Sequence, residues 1–530
     1  MLRFIPILLV LIAAGFALWW VSETQALAAW GVSCVLGLVA LFGLYDLIQI
    51  KHSIWRNFPL VGRVRWLGET LRPFLRSYIV ESPTEGRPFD QETRSMVYRR
   101  AKDVSSVEPF GSLIDMAQPP YEWLNHSMAA AHPDVTDPRV MIGAPGTEKP
   151  YSASVFNISA MSFGSLGAKA IESLNRGAAE GGFYHDSGEG GVSKYHKAGG
   201  GDLVYELGSG YFGSRAEDGS FDPERFKDVA ASDQVKMIEI KLSQGAKPGH
   251  GGVLPGEKVT REIAEARGIP VGKTCYSPAA HTAFSTPIEM LEFVAQLREL
   301  SGGKPVGLKF CVGNRWEVLA MVKAMLETGI RADFLVVDGA EGGTGAAPAE
   351  FQDHVGMPLR QGLVFTRNAL VGAGIKDEVR LAVSGKQVSA FNLAASMALG
   401  ADWVNSARGF MFALGCIQSL HCHQNTCPTG IATTDAGRQR GLVIPDKAAR
   451  VAAYHRNTVK ALMEVVGAAG CNHPSELLPH HISHRVTTDD AQTFDQAYGL
   501  LSPGALIHDA ASTPLAADWA RASAQTFAPR

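Results

Sequence analysis

Three cysteines, Cys416, Cys422 and Cys427, lie within GCIQSLHCHQNTCP (residues 415–428), spaced C-x5-C-x4-C. Thiolates at this spacing can wrap a compact metal cluster, and a final Cys-Pro is common where iron–sulfur ligation ends a loop. Three ligands rather than four favour a three-iron four-sulfur (3Fe-4S) cluster. Zinc held through Cys with His421 or His423 stays open, although structural zinc usually takes paired CxxC or HxxxH spacing. A trio of buried, unliganded thiols stays open as well. The other cysteines (Cys34, Cys275, Cys311, Cys471) are scattered, which argues against a disulfide framework and for a reducing compartment.

Four more strings carry chemistry. SGEGG puts the carboxylate of Glu189 on a flexible loop, and QGAKPG puts the ammonium of Lys247 on another. Facing one pocket, Lys247 could hold a dicarboxylate while Glu189 handles an amine or a proton; as isolated strings both are also compatible with exposed turns. Ser384-Gly385-Lys386 and Ala407-Arg408-Gly409 close two successive apolar runs, where backbone N–H groups could cradle a phosphate or simply make tight turns. Lys309 sits inside the apolar run VGLKFC. Burying an unpaired ammonium is expensive, so it must meet negative charge: a reduced flavin ring, or a neighbouring carboxylate.

The elements that must position these residues alternate between strand and helix. The pattern predicts strands near 237–242, 306–311, 334–337, 379–383 and 403–405. Helices are predicted near 288–300, 316–328, 361–371 and 387–399, the first opened by a Thr286/Glu289 capping box. Such alternation means parallel strands with right-handed crossovers. Each strand runs into a Gly-rich or polar segment, as the active-site face of a (β/α)8 barrel requires. A doubly wound sheet would want an early GxGxxG unit, and none is present. The expected class is α/β, a (β/α)8 (TIM) barrel behind an N-terminal two-helix transmembrane hairpin. Lys+Arg 49 against Asp+Glu 52 leaves no basic excess for nucleic acid.

The hairpin follows from two uncharged runs, residues 4–20 and 26–45, separated by five residues. At 1.5 Å per residue the first spans roughly 25 Å, close to a hydrocarbon core. A signal peptide would explain the first run but not the second arriving so soon. The short loop has Glu23 and no basic residue, whereas Lys51, Arg56, Arg63, Arg65, Arg72 and Arg76 follow the second run. The positive-inside rule then puts both ends, and everything downstream, in the cytoplasm of a cell whose inner membrane holds the hairpin. Expected domains are residues 1–50 (hairpin), 51–105 (basic juxtamembrane connector), 106–480 (barrel, with the cysteine loop 416–427) and 481–530 (an Ala-rich tail without chemistry).

Across roughly residues 110–470 the chain resembles the flavin-containing synthase domain of glutamate synthases. SAMSFGSLG (159–167), SGEGG (187–191), IKLSQGAKPGHGGVLPG (240–256), DGAEGGTGAAP (338–348) and CIQSLHCHQNTCPTGIATTD (416–435) carry the resemblance in the family's order. It implies a (β/α)8 barrel with FMN and a 3Fe-4S cluster on Cys416, Cys422 and Cys427. It also implies reductive amination of 2-oxoglutarate to glutamate through 2-iminoglutarate. Ala160, Met161, Ser162 and Gln244 would then lie beside the flavin, and Lys309 near its pyrimidine side. Ser384, Gly385, Lys386, Arg408 and Gly409 would surround its phosphate. Glu189 and Lys247 would face the substrate, with Lys309 and Glu189 taking part in catalysis.

The chain also departs from that family. The synthases carry an amidotransferase domain with an N-terminal cysteine nucleophile, whereas this chain begins Met1-Leu2 and enters an apolar run. Ammonia, or a separate subunit, is expected to supply nitrogen. Lacking a pyridine-nucleotide fingerprint, the chain is expected to receive electrons from a partner protein through the cluster. Where the family usually has a Gln before Leu-Pro-Gly and an acid three places earlier, this chain has Val253 and His250. Its Ser384-Gly385-Lys386 replaces the usual Asp-Gly-Gly. These differences leave open a different 2-oxo acid or amine, as in N-methylglutamate-forming relatives, and a non-catalytic membrane redox subunit.

Overall fold

The computed structural model describes residues 2–105 and 107–530, with only the backbone of Leu2. Residue 106, where the barrel domain was expected to begin, lies outside the described residues. Two compact units result, Met1–Gln91 and Glu92–Arg530.

In the first unit, α1 (Ile5–Thr24) and α2 (Leu27–Ile48) pack on each other across a break at Gln25, which is left-handed. Both helices are long and apolar enough to cross a membrane. Asp46, buried near the end of α2, would be costly without a partner. Arg63 supplies one at 2.6 Å, its guanidinium also 4.5 Å from the Trp55 ring centre. The expected connector therefore has structure of its own, including helices at Ser53–Asn57 and Val61–Leu75.

The second unit is built on a closed barrel of eight parallel strands: β1 (Phe156–Ile158), β2 (His185–Asp186), β3 (Leu203–Leu207), β4 (Val235–Lys241), β5 (Val306–Phe310), β6 (Phe334–Asp338), β7 (Arg380–Ser384) and β8 (Trp403–Ser406). Neighbours follow chain order, and β8 closes on β1 through Val404 and Phe156. Alternate residues of a strand face the same side. Val204, Met237, Phe334, Ala382 and Trp403 thereby fill the N-terminal end of the interior. An antiparallel hairpin, Arg139–Ile142 with Tyr151–Ser154, adds Ile142, Tyr151 and Ala153 to the same cluster and closes that end. The same alternation turns Glu206, Glu239 and Lys309 inward one layer higher.

Each predicted strand and helix is present, with no end shifted by more than three residues. The capping box at Thr286 and Glu289 opens the helix Pro287–Leu300 as read. The C-terminal stretch, expected as a mere tail, is docked. Ile482–Arg485 pairs with Glu122–Leu124 and Ala491–Thr493. Lys323 donates to the carbonyls of Trp519 (2.7 Å) and Ala522 (2.9 Å). Composition could not show this, because the contacts, strand pairing and the Arg315–Asp518 ion pair among them, join residues far apart in the chain.

Candidate functional site

The C-terminal end of the barrel opens into a cavity of about 1290 Å³, counting the solvent at its mouth. Loops after several strands supply its wall, as barrel topology dictates. Ala160, Met161 and Ser162 follow β1, Glu189 follows β2, and Gln244 and Lys247 follow β4. Ser384, Gly385 and Lys386 end β7, and Arg408 follows β8; all of these line the cavity, as does Lys309. Gly409, expected at the phosphate, is not in the wall. It is buried in the helix Arg408–Leu414, where a side chain would collide with the Tyr454 hydroxyl, so its smallness serves helix packing.

The wall carries six cations (Lys241, Lys247, Lys258, Lys309, Lys386, Arg408) against three carboxylates (Glu189, Glu206, Asp338). Such a balance favours an anionic occupant. Lys241 bonds Glu189 at 2.8 Å and the Gln244 side chain at 2.6 Å. Burial alone would raise the Glu189 carboxyl; Lys241, aided by Arg267 and Lys247, outweighs it and holds the group at about 2. Lys247 donates to the Ala346 carbonyl (2.9 Å), a partner that carries no charge of its own. Burial lowers its affinity for a proton, opposed by Glu189. Asp338 ties three strand-end loops together, accepting from Ser384 Oγ (2.6 Å) and the Gly245 N–H (2.7 Å). Gly385 at φ +122 and Lys386 at φ +49 turn the backbone sharply at the wall. Of the two substitutions read in the substrate loop, Val253 is in the wall, while His250 packs edge-on to Phe351 outside it.

Lys309 does not point freely into the cavity. Its ammonium contacts Glu206, lies 3.0 Å from Glu239 and 3.9 Å from Asp186. All four side chains are at most 4% exposed. The carboxylate alternative is thus what the structure contains, threefold, with Lys309 still forming part of the cavity floor.

The cysteine loop adjoins the same cavity, since Cys422 and His423 are in its wall. Within this loop Gln418, Leu420 and Asn425 hold positive φ (55, 61 and 58), a conformation that costs non-glycine residues energy and concentrates at functional sites. The Asn425 side chain pins it, accepting from the Thr434 N–H at 2.8 Å. Burial pushes the Cys416 thiol up to about 11. At Cys427 burial is outweighed by the Thr429 hydroxyl and by backbone N–H groups of Ala432, Thr429 and Ile431, so its thiolate is favoured. Lys258 donates to the carbonyls of both Ser165 and Cys422 at 3.0 Å, joining the β1 loop to the cysteine loop. Among the described residues, no three cysteine and histidine donor atoms converge within 4.8 Å of one another; the trio that does is Asp186, Glu206 and Glu239.

Sequence reasoning missed Lys241, Lys258, Arg267, Glu206 and Glu239. For Glu206 and Glu239 the signal that marked Lys309, a charge inside an apolar strand, was equally present. Arg267 is buried against Ser162 (3.3 Å) and the Phe212 ring, and nothing local in the sequence announces it.

Fold and site together define a parallel-barrel protein with a cationic cavity walled in part by a three-cysteine loop. The chain belongs to the glutamate synthase family: the conserved region in glutamate synthase matches residues 133–472. It is 36% identical over 504 residues to the glutamate synthase large subunit-like protein YerD of Bacillus subtilis, covering 86% of this chain and 95% of that one. It is 34% identical over 314 residues to an archaeal-type glutamate synthase (NADPH) of Thermotoga neapolitana, and spans 59% of that relative's length and 59% of its own. Among solved structures, a mandelate oxidase with benzoyl-formic acid aligns over 76% of this chain and 98% of its own, at 16% identity and TM-score 0.39.

Proposed function

We propose that this protein is an FMN- and iron–sulfur-dependent oxidoreductase that reductively aminates 2-oxoglutarate to glutamate, using free ammonia and electrons from a separate donor protein. The observation that carries the reading is the single cavity whose wall includes both Cys422 of the cysteine trio and the loops after β1, β7 and β8. We further propose that the N-terminal hairpin anchors the chain in the inner membrane with the barrel in the cytoplasm.

The residues fit both groups. Lys386 and Arg408, beside the sharp backbone turn at Gly385, suit a dianionic phosphate. Ala160, Met161 and Ser162 would flank the ring. Cys416, Cys422 and Cys427 would hold the cluster, each thiolate taking a different iron. Bound there, FMN would supply hydride transfer and the cluster one-electron relay, while the protein orients and charges the site.

The chain's own groups divide the remaining work. Lys247, tied only to a carbonyl, has charge to offer a substrate carboxylate. Glu189, ionised at any physiological pH, can accept hydrogen bonds from an amine or iminium nitrogen. Lys241 fixes that carboxylate in place. Gly252 allows the approach, because a side chain there would collide with the Glu189 carboxylate.

Val253 in the wall favours a second reading with the same cofactors: an apolar surface offers a carboxylate no hydrogen bond and suits a methylated amine or a less polar 2-oxo acid. Stopped-flow reoxidation of the reduced protein separates the two. The first reading expects 2-oxoglutarate plus ammonium to reoxidise the flavin well above an anaerobic blank. Reoxidation only with methylammonium, or only with another 2-oxo acid, establishes the second. No reoxidation by any pair contradicts both and leaves a redox subunit without turnover.

A further inference from the structure

Beneath the cavity, three carboxylates surround one ammonium. Oxygens of Asp186, Glu206 and Glu239 all lie within 4.8 Å of one another, and Lys309 reaches all three. Barrel register builds the group: Glu206 on β3 is directly opposite Glu239 on β4, and Asp186 ends β2 next door. None of the four side chains has appreciable solvent contact. Fully ionised, the group would carry two uncompensated negative charges in the barrel interior. Burial at that cost is relieved by protonation.

Two details locate the proton. Glu239 Oε1 is buried 3.0 Å from the ammonium, too poorly aligned to complete a hydrogen bond with it, so the oxygen has room for a proton. Oxygens of Asp186 and Glu239 lie within 4.8 Å of each other, and buried carboxylates that close disfavour ionisation of both at once. The surrounding groups are otherwise engaged. Tyr184 donates to Asn405 and accepts from Trp403, Asp338 is held by Ser384 and Gly245, Lys241 serves Glu189, and Asp186 also accepts from the Gly188 N–H. His185 lies near His196 and is kept neutral by burial. A metal ion has no place in the group, because the ammonium already stands at its centre.

We propose that Asp186, Glu206, Glu239 and Lys309 form a proton store for the cavity, with one proton resident between Asp186 and Glu239 in the resting protein. Glu206 and Lys309, which reach the cavity floor, are its exit. The role toward the cavity rests on the FMN reading above. With FMN bound and reduced by two electrons from the donor protein, the group would give up one carboxyl O–H proton to a basic nitrogen of the cofactor. The cluster is left with one more carboxylate, which solvent later reprotonates. The directions of the pKa shifts agree: burial and like charge raise Asp186 well above its ordinary range and Glu239 to about 7.

Infrared difference spectroscopy on the full-length protein tests this. A protonated buried carboxyl shows a carbonyl stretch apart from the carboxylate bands, and it shifts in deuterated water. We expect the band in oxidised wild type at pH 7, its loss in both D186N and E239Q, and its decrease on electrochemical reduction. Absence of the band in wild type, persistence in both variants, or indifference to reduction overturns the proposal. Should the variants fail to fold, the wild-type redox difference still decides. Reoxidation by the imine-forming pair is read on the same sample. Its failure with the band intact sinks the functional reading alone, and normal reoxidation without the band sinks the store alone.

Discussion

Two assemblies of the same residue types sit a few residues apart and reach opposite states. At the rim, one lysine meets one glutamate, Lys241 and Glu189, and the carboxyl is held at about 2. In the barrel interior, one lysine meets three carboxylates, and Glu239 rises to about 7. Burial pushes both carboxyls upward; the balance of nearby cations against nearby carboxylates decides which way each finally moves. The rim therefore presents a permanent charge suited to binding, whereas the interior cluster holds a proton close to neutrality.

The sharpest way to break this comparison is to remove the interior cation. K309M leaves three carboxylates without a partner, and stripping one side of a buried ion pair costs about 3–5 kcal/mol. Urea denaturation should show a loss of that size; a loss under about 1 kcal/mol would mean that the carboxylates are already fully protonated.

Next come the two pH limbs. Glu239 has a folded value above its ordinary 4.5, so between about 4.5 and 7 the folded state holds a proton the unfolded state lacks. This contribution makes stability fall as pH rises through that window. Glu189 has a folded value below 4.5, so its contribution is lost as pH falls from about 4.5 to 2. Denaturation midpoints measured across pH should show E239Q flattening the upper limb and E189Q the lower. If each variant flattened the other's limb, the assignment of proton states would be reversed.

The smallest effect is expected at Val253. V253Q restores an amide to the wall, and one net hydrogen bond is worth about 1 kcal/mol, roughly a fivefold change. Preference for 2-oxoglutarate over a less polar 2-oxo acid, read as a ratio of kcat/KM, should rise by about that factor. An unchanged ratio would show that the distal end of the substrate does not reach residue 253.

The legibility of these features in the sequence follows from their range. Strands and helices were readable because apolar periodicity is local, and the capping box at Thr286 is settled within four residues. The loop residues Glu189, Lys247 and Arg408 were readable because Gly-rich strand ends mark the functional face of a barrel. Lys309 stood out as a charge in an apolar strand, but its partners depend on register between strands far apart in the chain: Glu206 meets Glu239 only once the sheet is paired. Arg267 reaches Ser162 across 105 residues, and the docked C-terminus is held by equally distant partners, Lys323 on the Trp519 carbonyl and Arg315 on Asp518.

The central claim is that one cavity serves a flavin and a three-cysteine iron–sulfur cluster together. Visible absorption and electron paramagnetic resonance of the full-length protein, purified without oxygen and then oxidised, test it most directly. The account predicts a bound-flavin absorption and a three-iron cluster signal, the latter abolished in C422S while the flavin remains. A colourless protein, or a cluster signal untouched by C422S, would contradict it.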